Sequence, residues 1–500
     1  FCYKGRFLAF VEKGVINAAG DKIGIDHLKE LGVTHVHLMP SFDYQTVDET
    51  RLNVPQFNWG YDPQNFNCPE GSYSTNPYDG RARVAEFKRL VHALHCQGIR
   101  VIMDVVYNHT YATADSPFNK IFNKYYYRLW GENGEYFSNG SGCGNEIATE
   151  RFMVRKYIID SLVYWATEYK IDGFRFDLMG LYDIETMNKI DETLHAINPD
   201  IILYGEGWIG GDSPLADSKR AMKLNARHTP NIAFFSDDFR DTIKGNNFEN
   251  RCRGYVNGAT GSEEYVKEVM CGRIPHPQIP NLTKFAWTLS PCQTVNYVEA
   301  HDNLTLWDKL IYTNPTDSLD TRKKMDKMAA ACVFLAQGIP FIQAGQDFLR
   351  SKPLPGGAYD HNSYNSPDAV NSLKWDRKSE FRDVFDYYKG LIEFRKAHSA
   401  LRMFTAEDIG RNMKFFDHLP QRIVGFGLYG DCELEEIIVF FNPTNDDITL
   451  HAFGEYNVYI DGDNAGNKPL YTVCDDYIIK PHSTMVMGRP YPQPEEEAAE

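Results

Sequence analysis

The residues of this chain best suited to chemistry are three carboxylates, each at the end of a short and mostly apolar run. Asp177, Glu206 and Asp302 close the segments 171–177, 201–206 and 294–302. Runs of this kind are typical of buried parallel strands. Parallel α/β barrels carry their chemistry at the C-terminal ends of their strands. Three acids delivered from three strands therefore predict a converging acidic site.

Paired carboxyl groups on either side of a glycosidic bond can hydrolyse it. In retaining enzymes they stand about 5 Å apart, one as nucleophile and the other as acid/base. Arg175 lies two residues before Asp177, a spacing that places both side chains on one face of a strand. A fixed cation there would keep Asp177 ionised, which suits a nucleophile. Helix capping or ion pairing at strand ends is the structural alternative for each acid taken singly.

Other polar and aromatic residues fall at neighbouring positions. The segment 104–109 is a fourth strand end, and with His301 it supplies two histidines, His109 and His301. These could donate hydrogen bonds to sugar hydroxyls, or they could be structural. The aromatic loop 57–63 offers Tyr61 or Trp59 as a stacking surface, with loop packing as the alternative. Residues 461–464 are interpreted as a hairpin turn, because the distal Glu of a calcium-binding hand is missing.

Composition excludes several classes of protein. The formal net charge is -16, which argues against nucleic acid or an anionic membrane as the main partner. No apolar run approaches the roughly 20 residues of a membrane span. The ten cysteines show no metal-ligand spacing, and free thiols favour a reducing compartment, hence the cytoplasm. We expect a monomer and no zinc site, because the candidate histidines are not accompanied by residues at metal-ligand spacing.

Helix and strand signals alternate from about residue 21. Predicted strands cover 33–40, 99–106, 171–177, 201–206, 231–236, 294–301 and 340–345, and predicted helices cover 23–31, 84–97, 152–169, 185–197, 322–337 and 382–397. This is the pattern of a (β/α)8 TIM-type barrel. Only seven of the eight strands are evident, and the one candidate for the first, 7–11, is short.

The pattern changes near residue 400. Short β-rich runs between turn signals, such as 423–428, 436–441 and 477–480, predict a small antiparallel β-sandwich. We therefore assign 1–399 to the barrel, 400–490 to the sandwich and 491–500 to an acidic, disordered tail.

The motifs together resemble the α-amylase superfamily of glycoside hydrolases, and within it the type I pullulanases. Segments 104–109, 173–177, 205–206 and 301–302 are similar to the four superfamily motifs, in the same order. Segment 58–63 is similar to the pullulanase Y-N-W-G-Y-D-P signature, with Phe57 in place of the first Tyr. Segments 69–74 and 139–145 are also typical of that subgroup. The resemblance covers about residues 4–488.

The resemblance implies a retaining mechanism with Asp177 as nucleophile, Glu206 as acid/base and Asp302 as transition-state stabiliser. It implies a substrate site formed by the following residues: Tyr61, Asp104, His109, Arg175, Trp208, His301, Asn362 and Tyr364. The implied substrates are the α-1,6-linked branches of pullulan, amylopectin and limit dextrins. No organic cofactor is implied, and calcium is possible without assigned ligands.

Family members carry a barrel strand, and usually N-terminal sandwiches, before the point where this chain begins. The expectation is therefore a fragment that is less stable than the full-length protein, because an open barrel exposes strand edges. Three alternatives stay open. They are another superfamily enzyme (isoamylase-like or α-1,4-acting), a catalytically silent carbohydrate-binding protein, and a metal-dependent barrel hydrolase.

Overall fold

The computed structural model describes residues 1–280, 286–430 and 433–491. Of the predicted disordered tail only Tyr491 is described, and 492–500 lie outside the described residues. The chain forms two compact units. The first contains Phe1–Phe235, Trp287–Leu289 and Ser363–Trp375, and the second contains the rest. No helix among the described residues is both long enough and apolar enough to span a membrane.

The strands and helices follow the predicted alternation. The strands are β1 (His35–Leu38), β2 (Phe42–Tyr44), β3 (Pro63–Pro69), β4 (Arg100–Val105), β5 (Leu129–Trp130), β6 (Tyr136–Phe137), β7 (Gly173–Phe176), β8 (Ile202–Gly205), β9 (Ala233–Phe235), β10 (Thr294–Asn296), β11 (Ile339–Pro340), β12 (Met413–Phe415), β13 (Val424–Tyr429), β14 (Glu436–Asn442), β15 (Ile448–Ile460), β16 (Tyr471–Ile479) and β17 (Ser483–Arg489). The described α-helices are α1 (Ile25–Leu31), α2 (Gly80–His95), α3 (Pro117–Ile121), α4 (Phe152–Glu168), α5 (Ile184–Ile197), α6 (Asp237–Lys244), α7 (Glu263–Met270), α8 (Leu306–Thr313), α9 (Leu319–Leu335), α10 (Asp368–Asn371), α11 (Asp376–Glu380), α12 (Arg382–Ala397) and α13 (Ala406–Asn412).

In the first unit, strands β1, β4, β7, β8 and β9 lie side by side in that order. The pairs β1–β4, β4–β7, β7–β8 and β8–β9 are parallel. Gly173 begins β7 where strands approach closely, since a Cβ there would lie 2.7 Å from the carbonyl oxygen of Ile202. The register places Asp104 opposite Arg175 and Arg175 opposite Tyr204. Three polar side chains are thereby aligned at one level of adjacent strands.

The N-terminal segment differs from the strand proposed for 7–11. Residues Phe7–Phe10 form a 3-10 helix. Phe7 is buried, with its ring 5.0 Å from that of Phe87 and 5.5 Å from that of Tyr73. Burial of this ring against α2 explains the apolar character that suggested a strand.

In the second unit, β10 and β11 form a short parallel pair. Both are shorter than predicted, because β10 ends at Asn296 and β11 at Pro340. Asp302 is therefore six residues beyond the end of its strand, on a loop that precedes α8. Strands β12 to β17 form one six-stranded antiparallel sheet in the order β12-β13-β14-β17-β15-β16.

The turns of this sheet are those expected. Asp461 accepts hydrogen bonds from the backbone N–H groups of Asp463 and Asn464 at 2.9 and 2.7 Å, a hairpin-type Asx arrangement. Asn442 likewise accepts from the N–H of Thr444 at 3.0 Å. The nine cysteines in the described part of the chain are all free thiols.

Candidate active site

Arg175, on β7, is the centre of a buried cluster of charges in the first unit. Its guanidinium binds three carboxylates. Nη1 donates to Asp104 Oδ1 at 2.9 Å and to Asp177 Oδ1 at 3.1 Å, and Nη2 lies 2.6 Å from Glu206 Oε1. Burial opposes its charge, but the surrounding carboxylates outweigh burial and hold the pKa of Arg175 well above its ordinary value. The side chain is therefore a permanent cation.

Asp104 lies entirely inside the protein. Its Oδ2 accepts a hydrogen bond from the Tyr61 hydroxyl at 2.6 Å and lies 3.2 Å from His37 Nε2. Burial would raise the pKa of Asp104, but Arg175 and then His37 and Tyr61 lower it below its ordinary value. Asp104 was predicted to bind substrate. It has no exposed surface, and its contacts hold Arg175 and Tyr61 in place, while its role in substrate binding stays a prediction.

Asp177 directly follows β7 and is held from two sides. Arg175 binds Oδ1, while the Asn108 amide donates to Oδ2 at 2.8 Å and also to the Asp177 carbonyl oxygen at 2.8 Å. The Asp177 N–H donates to the Val105 carbonyl at 3.0 Å. The carboxylate is thus locked in orientation while 9% of the residue stays exposed. A fixed and partly accessible carboxylate that contacts a permanent cation can act as a nucleophile.

Glu206 directly follows β8, and both of its carboxyl oxygens accept hydrogen bonds. Oε1 faces Arg175, and Oε2 accepts the backbone N–H of Leu178 at 3.0 Å. Leu178 has φ 40° and ψ 51°, a left-handed conformation that is strained for a branched side chain. The turn after β7 therefore keeps an unfavourable backbone conformation that directs an N–H group at the second acid.

Tyr61 and His109 flank the charged cluster. The Tyr61 ring lies 5.5 Å from the Arg175 guanidinium carbon, a cation–π contact. His109 Nε2 lies 2.9 Å from the Tyr61 carbonyl oxygen and Nδ1 lies 2.6 Å from Asn108 Oδ1. Burial lowers the pKa of His109 to about 4, so the ring is neutral at pH 7. A neutral ring has one N–H and donates to one of these oxygens at a time.

His301 and Asp302 belong to the second unit. The His301 Nε2 lies 3.4 Å from Asp302 Oδ2, and the Asp302 side chain is 51% exposed. Asn303, the next residue, has φ 62°. A sharp turn thus projects Asp302 outward from a loop rather than from a strand end.

The remaining predicted substrate residues lie on loops. Trp208 follows Glu206 closely and is half-buried. Tyr364 is exposed, and its carbonyl accepts the N–H of Trp59 at 2.9 Å, with the two rings 6.4 Å apart. Asn362 is exposed in the second unit, where its N–H donates to Asp360 at 2.9 Å.

One acidic cluster in the described residues has the spacing of metal ligands. Asp43, Glu49 and Glu70 offer oxygens within 4.8 Å of one another. However, Arg83 lies among them, with Nη1 3.4 Å from Asp43 and Nη2 2.8 Å from Glu49. The guanidinium supplies the positive charge that calcium would bring. The arrangement is an ion-pair network and does not fit a calcium site.

Two positioning residues were not assigned from the sequence. Asn108 precedes His109 within the same motif, so its position next to a candidate was the available signal. His37 lies on β1, and its other ring nitrogen is 3.1 Å from the Tyr204 hydroxyl. A histidine inside a short apolar strand was a weaker signal of a functional role, because it is equally typical of a buried structural histidine with hydrogen-bonded ring nitrogens.

Comparisons with known proteins identify relatives of this chain. Residues 10–132 match the family model of the α-amylase catalytic domain. A curated pullulanase from Bacillus subtilis (strain 168) is 40% identical over 452 residues, which is 89% of this chain and 60% of that protein. The chain thus spans about 60% of the length of this relative.

Solved pullulanase structures superimpose closely. The pullulanase from Bacillus acidopullulyticus gives a TM-score of 0.91 at 42% identity, covering 97% of this chain and 58% of the other. The pullulanase from Paenibacillus barengoltzii, solved with maltohexaose and α-cyclodextrin, gives 0.89 at 40% identity, covering 98% of this chain and 74% of the other. The predicted fold class, a TIM-type barrel followed by an antiparallel β-sandwich, is confirmed. The chain belongs to the pullulanase family of the α-amylase superfamily.

Proposed function

We propose that this chain is a retaining glycoside hydrolase that cleaves α-1,6-glucosidic branch linkages. One observation carries the proposal. A single buried guanidinium, that of Arg175, binds both Asp177 and Glu206, so the two carboxylates lie side by side. A double displacement uses carboxyls about 5 Å apart, whereas a single displacement needs about 6.5–9.5 Å. The side-by-side placement favours the double displacement.

In the first step Asp177 attacks the anomeric carbon and forms a glycosyl ester, while Glu206 donates a proton to the departing oxygen. In the second step Glu206 accepts a proton from water, which attacks the same carbon and releases Asp177. The contacts to the two Glu206 oxygens fix the orientation of this carboxyl group in both steps. Asn108 and Arg175 keep Asp177 directed at the sugar throughout.

The family motifs assign roles to the other predicted residues. Asp302 stabilises the positive charge of the transition state, and His301 and His109 bind hydroxyls of the cleaved sugar. Tyr61 stacks on that sugar, because its ring face is already oriented by the bond from its hydroxyl to Asp104. Further contacts to the glucan come from Trp208, Asn362 and Tyr364. The chemistry uses side chains alone and requires no organic cofactor.

The substrate proposal rests on the relatives. They are named pullulanases, and one was solved with maltohexaose and α-cyclodextrin. We infer that branched α-glucans such as pullulan, amylopectin and limit dextrins are the substrates. A maize isoamylase is 28% identical over 84% of this chain, so isoamylase-like or α-1,4 activity is the alternative to test. The domain limits 1–399 and 400–490 and the monomeric state stay predictions.

Product analysis after incubation with pullulan and, separately, with linear amylose tests the proposal. We expect maltotriose from pullulan and no shortening of amylose. Asp177→Asn should abolish the product. Asp160→Asn, which alters an exposed carboxylate paired with Lys156 on α4, should leave it unchanged. Shortened amylose would refute the linkage assignment, and an active Asp177→Asn protein would refute the assigned nucleophile.

A further inference from the structure

The loop that carries Asp302 has little regular structure to hold it. It runs from the end of β10 at Asn296 to the start of α8 at Leu306. The Asp302 side chain is half exposed and lies 3.4 Å from His301 Nε2 of the same loop. A transition-state stabiliser must nevertheless keep its place within about 1 Å, since a shift of that size can lower the rate about 100-fold. Something outside the loop must therefore set its position.

Lys352 makes that contact. Its Nζ donates to the carbonyl oxygens of His301 at 3.0 Å and of Asn303 at 2.6 Å. These two carbonyls belong to the residues on either side of Asp302. One ammonium group therefore holds the backbone on both flanks of the acid and stabilises the left-handed turn at Asn303, whose φ is 62°.

Lys352 is itself fixed by α8. The N–H of Lys352 donates to Asp308 Oδ2 at 2.8 Å, and the Ser351 hydroxyl donates to Asp308 Oδ1 at 2.5 Å. Glu299 accepts the N–H of Leu306, which closes the base of the same loop. The segment that carries Lys352 thus contacts both the Asp302 loop, through the Lys352 ammonium group, and helix α8, through Asp308.

Holding this lysine inside the protein carries an energetic penalty. Lys352 is 1% exposed, and burial lowers its pKa to about 8, with Arg350 lowering it further and Glu299, Asp302 and Asp308 opposing the shift. The amine is therefore charged at pH 7, and hydrogen bonds from a charged donor are about twice as strong as neutral ones. An apolar side chain of the same length would fill the space without that penalty. Simple packing does not explain a lysine here.

We propose that Lys352 is a positioning residue that orients Asp302 for catalysis by binding the carbonyl groups on both sides of it. The expected effect of Lys352 on kcat rests on the proposed function, whereas its expected effect on the structure of the loop does not. Lys352 does not touch the sugar. Its removal should lower kcat and leave KM nearly unchanged.

The test compares Lys352→Met, Lys352→Arg and Lys327→Met. Lys327 is a matched control, because it is also buried in the second unit and donates to a backbone carbonyl, that of Asp463 at 3.3 Å. With pullulan we expect Lys352→Met to lose about 100-fold in kcat with KM within about threefold. Lys352→Arg keeps a charged donor and should recover at least tenfold of that loss. Lys327→Met should keep the wild-type kcat.

Hydrogen–deuterium exchange of the peptide covering 297–306 tests the loop directly. We expect faster exchange in Lys352→Met than in the wild type or Lys327→Met. If Lys352→Met does not fold, Lys352→Gln replaces it, because its amide keeps donors without the charge. A folded variant with wild-type kcat and unchanged exchange would overturn the proposal. An inactive wild-type chain would refute the proposed function, and the exchange comparison would still decide the role of Lys352.

Discussion

Replacing Arg175 by leucine removes the one cation that three buried carboxylates share. Asp104, Asp177 and Glu206 all lie within 3.1 Å of its terminal nitrogens. Removing one partner of a buried ion pair costs about 3–5 kcal/mol, because an uncompensated charge is left inside. We expect Arg175→Leu to lose at least that much stability at pH 7, and about 1,000-fold or more in kcat, because both catalytic carboxylates lose their orientation.

The pH dependence of this loss follows from Asp104. Its folded pKa is lowered because Arg175, His37 and Tyr61 outweigh burial. A lowered carboxyl pKa contributes stability that is present above the unfolded value of about 4 and is lost as pH falls through the folded value. Without Arg175, burial dominates and raises the pKa of Asp104. The contribution of Asp104 to stability then increases, rather than decreases, as the pH falls. The destabilisation of Arg175→Leu should therefore shrink between pH 7 and pH 5, as the buried carboxylates take up protons.

Thermal melts of the wild type, Arg175→Leu and Arg175→Lys at pH 7 and pH 5 measure this effect. The lysine variant keeps the charge but cannot span three carboxylates as the planar fork does. It should recover part of the stability and little of the kcat. A leucine variant as stable as the wild type at pH 7, or a stability difference that is the same at both pH values, would refute the electrostatic role of Arg175.

Three further predictions address neighbouring groups. Tyr61→Phe removes the hydrogen bond to Asp104 and should cost about 1.5–3 kcal/mol in thermal stability while leaving KM for pullulan within about twofold, since the ring face remains. Asn108→Ala frees one oxygen of Asp177 and should lower kcat about 10-fold to 100-fold, whereas an unchanged kcat would contradict the positioning role. The Lys352 pKa falls from 10.5 to about 8 on folding, so the unfolded chain binds more protons between these values and the wild type should gain about 3 kcal/mol relative to Lys352→Met as pH rises from 8 to 10.5. Paired melts across that range would detect it.

Local patterns were sufficient to predict two candidate catalytic carboxylates in the first unit. Asp177 and Glu206 each end an apolar run, and strand-end acids that recur along the chain favour a shared site over separate helix caps or ion pairs. Asp302 was predicted from its motif, but the prediction that it directly follows a strand was wrong. The apolar character of 297–300 suggested strand, whereas β10 ends at Asn296 and the acid lies on a turn.

The segment 7–11 shows the same limit. Its apolar residues indicated a strand, and the structure has a 3-10 helix with Phe7 packed against Phe87. A short apolar run indicates only that its side chains are buried, not which backbone conformation they adopt. Which partner covers it, and hence which backbone conformation results, depends on distant residues.

The amino-acid pattern alone predicted the fold class, the alternation of strands and helices, and the candidate acids. These predictions depend on local periodicity and on charged residues that are costly to bury. The contacts that hold the acids in place could not be predicted in this way. The alignment of Asp104 with Arg175 depends on the register between two strands. The contact from Lys352 to the Asp302 loop joins residues 49 and 51 positions apart. Register and long-range contacts arise from packing the whole chain, and no local pattern encodes them.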